Sequence, residues 1–300
     1  MRGLNCHQQL KISVDGNLIL SNLSNPQIWS TNTTLASNST VAVLLDTGNL
    51  VLRERSNPNI TLWQSFDHPT NTWLPGAKVG LNKVTGEYQR LISWKTADDP
   101  APGIFSFEID PSGISQYLLL WNNSYSYWIS GTWNGKIFSL VPEMTAYSSE
   151  TGAYGYSFQY VSNATENYFT YSVRSDILSR FILDVSGQIK QLTWVDYSKE
   201  WILFWTQPKL QCQVHALCGP FGICNENAMP FCNCIKGFTE KSPLDWDMSD
   251  RTGGCSRNTP LQCGKNSSSR MEKNRFYTMS DVRILIMLEV YKLGVLQIAS

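Results

Sequence analysis

Two stretches of this chain repeat each other, and the repeat constrains the fold more than any other feature. Residues 10–20 run Leu-Lys-Ile-Ser-Val-Asp-Gly-Asn-Leu-Ile-Leu, and residues 42–52 run Ala-Val-Leu-Leu-Asp-Thr-Gly-Asn-Leu-Val-Leu. In the second copy Val41, Val43 and Leu45 alternate with their neighbours, Asp46-Thr47-Gly48-Asn49 makes a corner, and Leu50-Val51-Leu52 resumes the apolar run. That pattern predicts two short antiparallel strands, with Gly48 and Asn49 tolerating the backbone of a tight corner. Leu62-Trp63-Gln64-Ser65-Phe66 reads as a third strand, and Asp67-His68-Pro69-Thr70 as a turn. Gly16 matches Gly48, Leu18 matches Leu50 and Trp29 matches Trp63. An offset of roughly 32 to 34 residues signals stacked units that cannot bury their apolar faces singly; about three are needed, and two are visible. Two unrelated hairpins would share turn chemistry, but not a tryptophan in register.

Composition supports a mostly β chain. The 11 Trp, 13 Tyr and 12 Phe are abundant, turn residues are frequent, and no long run has helical spacing. Formal net charge is zero, with 16% charged residues, so the electrostatic footprint of a nucleic-acid binder is missing. Cys6 stands apart from the other seven cysteines, which fall between Cys212 and Cys263. Such clustering indicates a small disulfide module made in an oxidising compartment. Asn22, Asn32, Asn38, Asn59, Asn122, Asn163 and Asn266 each open an Asn-x-Ser/Thr glycosylation sequon, which agrees with that compartment. Residues 1–13 carry no apolar signal-peptide core, which conflicts with it.

Asp-Thr-Gly-Asn-Leu-Val-Leu-Arg (46–53), followed by Leu-Trp-Gln-Ser-Phe-Asp-His-Pro-Thr-Asn-Thr-Trp-Leu-Pro-Gly (62–76), resembles the bulb-type (G-type) lectin domain of plant S-locus glycoproteins and S-domain receptor-like kinases. The resemblance implies a β-prism of three repeats and a sugar motif Gln-x-Asp-x-Asn-x-Val-x-Tyr, in which polar side chains chelate mannose hydroxyls and an apolar residue meets the ring. The motif positions hold Ser13, Asp15, Asn17, Ile19 and Ser21 in the first unit and Leu45, Thr47, Asn49, Val51 and Arg53 in the second. The carried-over sugar-binding candidates are therefore Asp15, Asn17, Ile19, Asn49 and Val51, in degenerate form. The preferred reading is that Asp15, Asn17 and Asn49 make the turns, with weak or absent mannose binding.

Further motifs continue the resemblance. Ser93-Trp94-Lys95 with Asp98-Asp99-Pro100 resembles the family's junction after the lectin domain. The two carboxylates read as a surface turn, Pro100 and Pro102 arguing against regular strand pairing there. Residues 103–110, 116–121 and 125–129 read as strands, and Gly131-Thr132-Trp133-Asn134-Gly135 resembles the opening of the S-locus glycoprotein domain, with Thr132 in place of the family's Pro. Strands continue through Tyr156, Phe158 and Tyr160, then Tyr168, Thr170 and Ser172. A hairpin over residues 181–189 follows, and aromatic strands at 191–194 and 201–205. The aromatics are expected to fill the core of short-stranded sheets.

Cys212, Cys218, Cys224, Cys232 and Cys234 have the spacing C-x5-C-x5-C-x7-C-x-C, with Gly219-Pro220-Phe221-Gly222 inside, and resemble an EGF-like module. The family pattern implies the pairs Cys212–Cys224 and Cys218–Cys232, leaving Cys234 to seek Cys255. A module this small is expected to depend on cross-links for want of a core. Zinc would need C-x2-C pairs that are not present, and calcium an acidic cluster that residues 207–211 lack, so no metal or other cofactor is expected. Residues 250–263 and the run Arg275–Arg283 resemble the approach to a PAN/apple module, whose later cysteines do not follow. Ile284–Ser300 is apolar but carries Glu289 and Lys292, too short and interrupted for a membrane span; it is expected to pack poorly.

No kinase phosphate loop, His-Arg-Asp or Asp-Phe-Gly occurs, and His7, His68 and His215 sit in no hydrolase motif. The expected architecture is mostly β: a partial β-prism lectin domain over 1–80, a β-rich S-locus glycoprotein domain over 81–207, an EGF-like module over 208–244, and a linker with a truncated PAN/apple-like module over 245–300. The implied role is non-catalytic extracellular or plasma-membrane-associated recognition, which in the family includes recognition of pollen. The expected partner is a protein ligand or receptor, as a soluble decoy or a homo- or heterodimer. A mannose-binding lectin and a fragment of a membrane serine/threonine receptor kinase are the alternatives.

Overall fold

The computed structural model describes residues 9–22, 27–34, 39–147 and 155–259, together with two short strands further on. The first unit is a three-stranded antiparallel sheet of β1 (Gln9–Ile12), β2 (Leu18–Ser21) and β3 (Trp29–Ser30). The second has the same order in β4 (Thr40–Leu44), β5 (Leu50–Glu54) and β6 (Thr61–Gln64). The expected third strand over 62–66 ends earlier: Ser65–Asp67 is a 3-10 turn. The Ser65 hydroxyl is drawn back to the corner, where it accepts from Leu50 N–H at 2.9 Å and donates to Asn49 Oδ1 at 3.1 Å. The two units touch through Trp29 and Trp63, whose rings meet edge to face at 5.7 Å.

Next come β7 (Thr72–Trp73), β8 (Val79–Asn82), β9 (Tyr88–Gln89), β10 (Leu91–Trp94), β11 (Pro102–Ile109), β12 (Tyr117–Trp121) and β13 (Tyr125–Ile129), then the single turn α1 (Met144–Tyr147). They are followed by β14 (Tyr156–Ser162), β15 (Glu166–Val173), β16 (Ser179–Leu183), β17 (Ile189–Val195) and β18 (Glu200–Gln207). These strands form three four-stranded sheets, β10-β11-β12-β13, β14-β15-β8-β9 and β18-β17-β16-β7. Residue 80 lies inside this arrangement, since β8 pairs with β15 as Gly80↔Tyr168 and β7 pairs with β16 as Trp73↔Phe181.

All three sheets line one core. Leu91, Phe105, Phe107, Ile109, Tyr117 and Leu119 come from the first sheet, Val79, Tyr156, Phe169 and Tyr171 from the second, and Trp73, Phe181, Leu183 and Ile189 from the third. Aromatics fill it because short strands offer few positions and each ring removes much apolar area from water. The phenols keep their hydrogen bonds: Tyr117 donates to Val79 O at 2.5 Å and Tyr171 to Trp73 O at 2.9 Å. Burial pushes both hydroxyls well above the ordinary tyrosine range.

Two expectations need correcting here. Pro102 does pair: it opens β11 opposite Trp94, after a register shift from Ile92↔Ser106. The first position of a strand is a place where a missing N–H is tolerated. And the aromatic strand at 201–205 is only partly core. In β18 Ile202, Leu203 and Phe204 are about half exposed, because this strand is the edge of its sheet.

The C-terminal module contains β19 (Gly222–Cys224) paired with β20 (Cys232–Cys234), β21 (Phe238–Glu240) paired with β22 (Cys255–Arg257), and the turn α2 (Pro243–Asp247) between β21 and β22. Ser242 caps α2 by accepting from Asp245 N–H, and Pro243 takes the first helical position. Disulfides join Cys212 to Cys224, Cys218 to Cys232 and Cys234 to Cys255, with Cα separations of 5.5, 5.4 and 5.8 Å. The module is not without a core: Ile235, Phe238 and Trp246 are buried with Cys218, Cys232 and Cys255. Cys6 and Cys263 lie outside the described residues. So does most of Ile284–Ser300, of which only Ile298–Ala299 is described, as β24 paired with β23 (Phe276–Tyr277).

Candidate recognition sites

The motif positions converge on one recurring corner. Ser13 N–H donates to Asn17 O at 2.8 Å and Gly16 N–H to Ser13 O at 3.0 Å; Leu45 N–H donates to Asn49 O at 2.9 Å and Gly48 N–H to Leu45 O at 2.9 Å. Gly16 and Gly48 both have φ +84°, a conformation that costs a side-chain-bearing residue and that glycine adopts freely.

The asparagine after each glycine points inward. Asn17 and Asn49 are each 7% exposed. Asn17 Oδ1 accepts from Thr31 Oγ1 at 2.9 Å and Thr33 N–H at 2.8 Å, and its amide nitrogen donates to Asp15 and to Thr33 O. Asn49 Oδ1 accepts from Ser65 Oγ at 3.1 Å and Phe66 N–H at 3.3 Å, and its amide nitrogen donates to Gln64 Oε1 at 2.9 Å. Each asparagine thus fastens its hairpin corner to the end of the third strand or to the residues that follow it. Ile19 and Val51 are buried too, at 8% and 4% exposure, so neither offers a face to a sugar ring. Asp15 is exposed, and its carboxylate takes bonds from the Ser13 hydroxyl and from Asn17, which hold it below the usual carboxylate range.

A third copy of the corner lies in the central body, where the sequence showed a hairpin but not its kinship with the other two. Asp184 N–H donates to Gln188 O at 2.9 Å, Gly187 N–H donates to Asp184 O at 2.9 Å, and Gly187 has φ +78°. Gln188 takes the asparagine's place: it is 6% exposed, and its Nε2 donates to Pro208 O at 2.9 Å. The Asp-x-x-Gly-Gln spelling was the available signal.

The remaining candidates sit apart from these corners. Asn32, Asn59, Asn122 and Asn163 are exposed and Asn22 is half-buried, whereas Asn38 and Asn266 lie outside the described residues. Asn163 Oδ1 accepts from Thr165 Oγ1 at 3.0 Å, closing its own sequon into a turn. His68 stacks on Trp63 at 5.3 Å. Buried His215 lies against Tyr125 at 4.0 Å and Trp121 at 5.2 Å, where the disulfide module meets the central body. Asp99 serves a turn, accepting from Ala101 N–H at 3.0 Å. Among the described residues no group of three or more His, Cys, Asp or Glu side chains could hold a metal, and no helix is long and apolar enough to cross a membrane.

Comparison with known proteins assigns residues 4–95 to the D-mannose binding lectin family and residues 128–242 to the S-locus glycoprotein domain family. A G-type lectin S-receptor-like serine/threonine-protein kinase of Arabidopsis thaliana is 49% identical over 284 residues, 91% of this chain and 32% of that protein. An S-locus-specific glycoprotein of Brassica oleracea is 37% identical over 88% of this chain and 60% of its own length. The chain thus spans about a third of the kinase relative and three fifths of the glycoprotein. Among solved structures, a two-domain fetuin-binding agglutinin of Scilla campanulata matches at 14% identity over 67% of this chain and 76% of its own, with a TM-score of 0.19.

Proposed function

This chain belongs to the family of S-locus glycoproteins and G-type lectin S-receptor-like kinase ectodomains, and from that premise we propose that it is a non-catalytic extracellular module that recognises a protein ligand or receptor partner. One observation favours protein over mannose as the ligand of the lectin part. The asparagines that a mannose site would present are buried, with both ends of each amide engaged by the chain itself. A sugar could recruit them only by breaking those bonds, each worth about 0.5–1.5 kcal/mol net, and leaving their partners uncompensated. Three disulfides and four exposed sequons fit an extracellular address. Attachment to a membrane kinase as part of a longer product is the wider form of the same proposal.

The test is paired. The secreted chain is titrated calorimetrically with methyl α-mannoside. Its association with a second copy, and with the ectodomain of the Arabidopsis thaliana kinase relative, is followed by interferometry. Micromolar protein association without sub-millimolar mannose binding is the expected result. A clear sub-millimolar mannose isotherm, or no association with either protein, overturns the reading.

A further inference from the structure

We propose that the cleft between the central body and the disulfide module binds a monosaccharide-sized carboxylate, of the hexuronic acid type. The cleft has a volume of about 280 Å³ and is bounded by Trp94, Lys95 and Asn122 on the sheet side and Asp250, Arg251 and Thr252 on the module side. That volume lies near the lower end of the ~300–1,000 Å³ of small-molecule pockets, which suits one sugar ring.

Its charges call for an anion. Lys95 and Arg251 enter none of the ion pairs among the described residues. Arg251 Nε is shielded from solvent and has no acceptor. Arg251 is half-buried at the cleft wall, and a carboxylate matches a guanidinium fork with two parallel bonds. The cleft's one acidic side chain, Asp250, brings a negative charge but turns Oδ1 to its own loop, accepting from Thr252 N–H at 3.1 Å and from Thr252 Oγ1 at 2.5 Å; against it stand two cations, Lys95 and Arg251, which leave the lining net positive. Trp94 gives an apolar wall for ring carbons, and Thr252 places a hydroxyl nearby. None of the residues that line the cleft belongs to the two lectin corners, although Val185 of the third corner is among them, and the site does not depend on the partner proposed above.

The test uses the whole secreted chain. Because Asn122 is both a sequon and part of the cleft wall, the S124A variant, which lacks that sequon, is assayed beside it. Saturation-transfer NMR and calorimetry compare D-galacturonate with D-galactose, its uncharged twin. Saturable galacturonate binding by at least one of the two proteins is expected, with galactose at least tenfold weaker. Arg251→Gln should weaken binding tenfold or more, and Lys95→Gln, at an exposed position that spares the fold, at least threefold. If Arg251→Gln lowers the melting midpoint, Lys95→Gln decides. Failure of both proteins to bind galacturonate, equal binding of galactose, or unchanged affinity in the deciding variant overturns the proposal.

Discussion

Asn17, Asn49 and Gln188 do the same work at three corners, a side-chain amide tying a glycine turn to the next stretch of backbone. Buried and multiply bonded, such an amide is costly to remove. Asn49→Ala strands Gln64 Oε1, Ser65 Oγ and Phe66 N–H, and should cost about 1–3 kcal/mol by denaturant midpoint. If the residue served a ligand instead, Asn49→Ala would change stability by no more than about 0.5 kcal/mol, as surface substitutions do. The two lectin corners were legible in the sequence because turn chemistry is local: Asp-Gly-Asn and Asp-Thr-Gly-Asn announce themselves, and the same spelling identified the family. The third was legible only as a hairpin, since Gln replaces Asn and its partner, Pro208, lies 20 residues away. Nor could the sequence say that Asn17 and Asn49 face inward, because, Asp15 apart, their acceptors and donors come from residues 14 to 17 positions along.

At the scale of elements, two places test the packing. Gly219 and Gly254 bring two backbone segments together with no room between them. A Cβ on Gly254 would lie 2.3 Å from Pro220 O, and one on Gly219 2.5 Å from Gly254 N. Both have positive φ. Gly254→Ala therefore meets backbone that cannot give way and a left-handed conformation costing about 1–2 kcal/mol by itself; a loss of at least that size is expected in the module's unfolding. Removing the Cys218–Cys232 bridge should cost about 2–5 kcal/mol. Peptide mapping of the non-reduced protein checks the pairing, and a Cys212–Cys218 fragment would contradict it.

The edge strand β18 behaves in the opposite way. Glu-Trp-Ile-Leu-Phe-Trp-Thr-Gln alternates too little to show which face is covered, so its sequence suggested core. The structure leaves Leu203 50% exposed and inserts Phe204 as an extra residue between the Gln191↔Trp205 and Leu192↔Leu203 pairs. Such a bulge bends an edge away from pairing with other chains. Leu203→Lys should leave the melting free energy within about 0.5 kcal/mol and reduce light scattering at high concentration. A loss of several kcal/mol would mean that the strand is covered after all.

On the scale of the whole molecule, the disulfide module is built into the central body. Val214 is buried in the body's core, Leu217 packs against both cores, Gln211 Nε2 donates to Ser186 O at 2.8 Å, and Lys209 pairs with Glu143 at 2.6 Å. Only the last of these contacts is a salt bridge, and acid should therefore loosen the junction selectively. Partial burial is the largest single influence on the Glu143 carboxyl and would raise it, but the hydrogen bond from Lys209, a backbone hydrogen bond and the Lys209 charge together outweigh it and hold the group below its ordinary value of 4.5. A carboxyl depressed in the folded state adds stability above its unfolded pKa and loses it as pH falls through the folded one. Lys209 is 67% exposed, so solvent screening keeps the pair's worth to about 0.2–1 kcal/mol. Glu143→Gln should accordingly be less stable than the unsubstituted chain by that amount at pH 7. The difference should close as pH falls through the ordinary carboxylate range and then below the depressed folded-state pKa of Glu143. Urea midpoints of the two proteins across that range measure it, and a gap independent of pH would show that Glu143 acts by packing and not by charge.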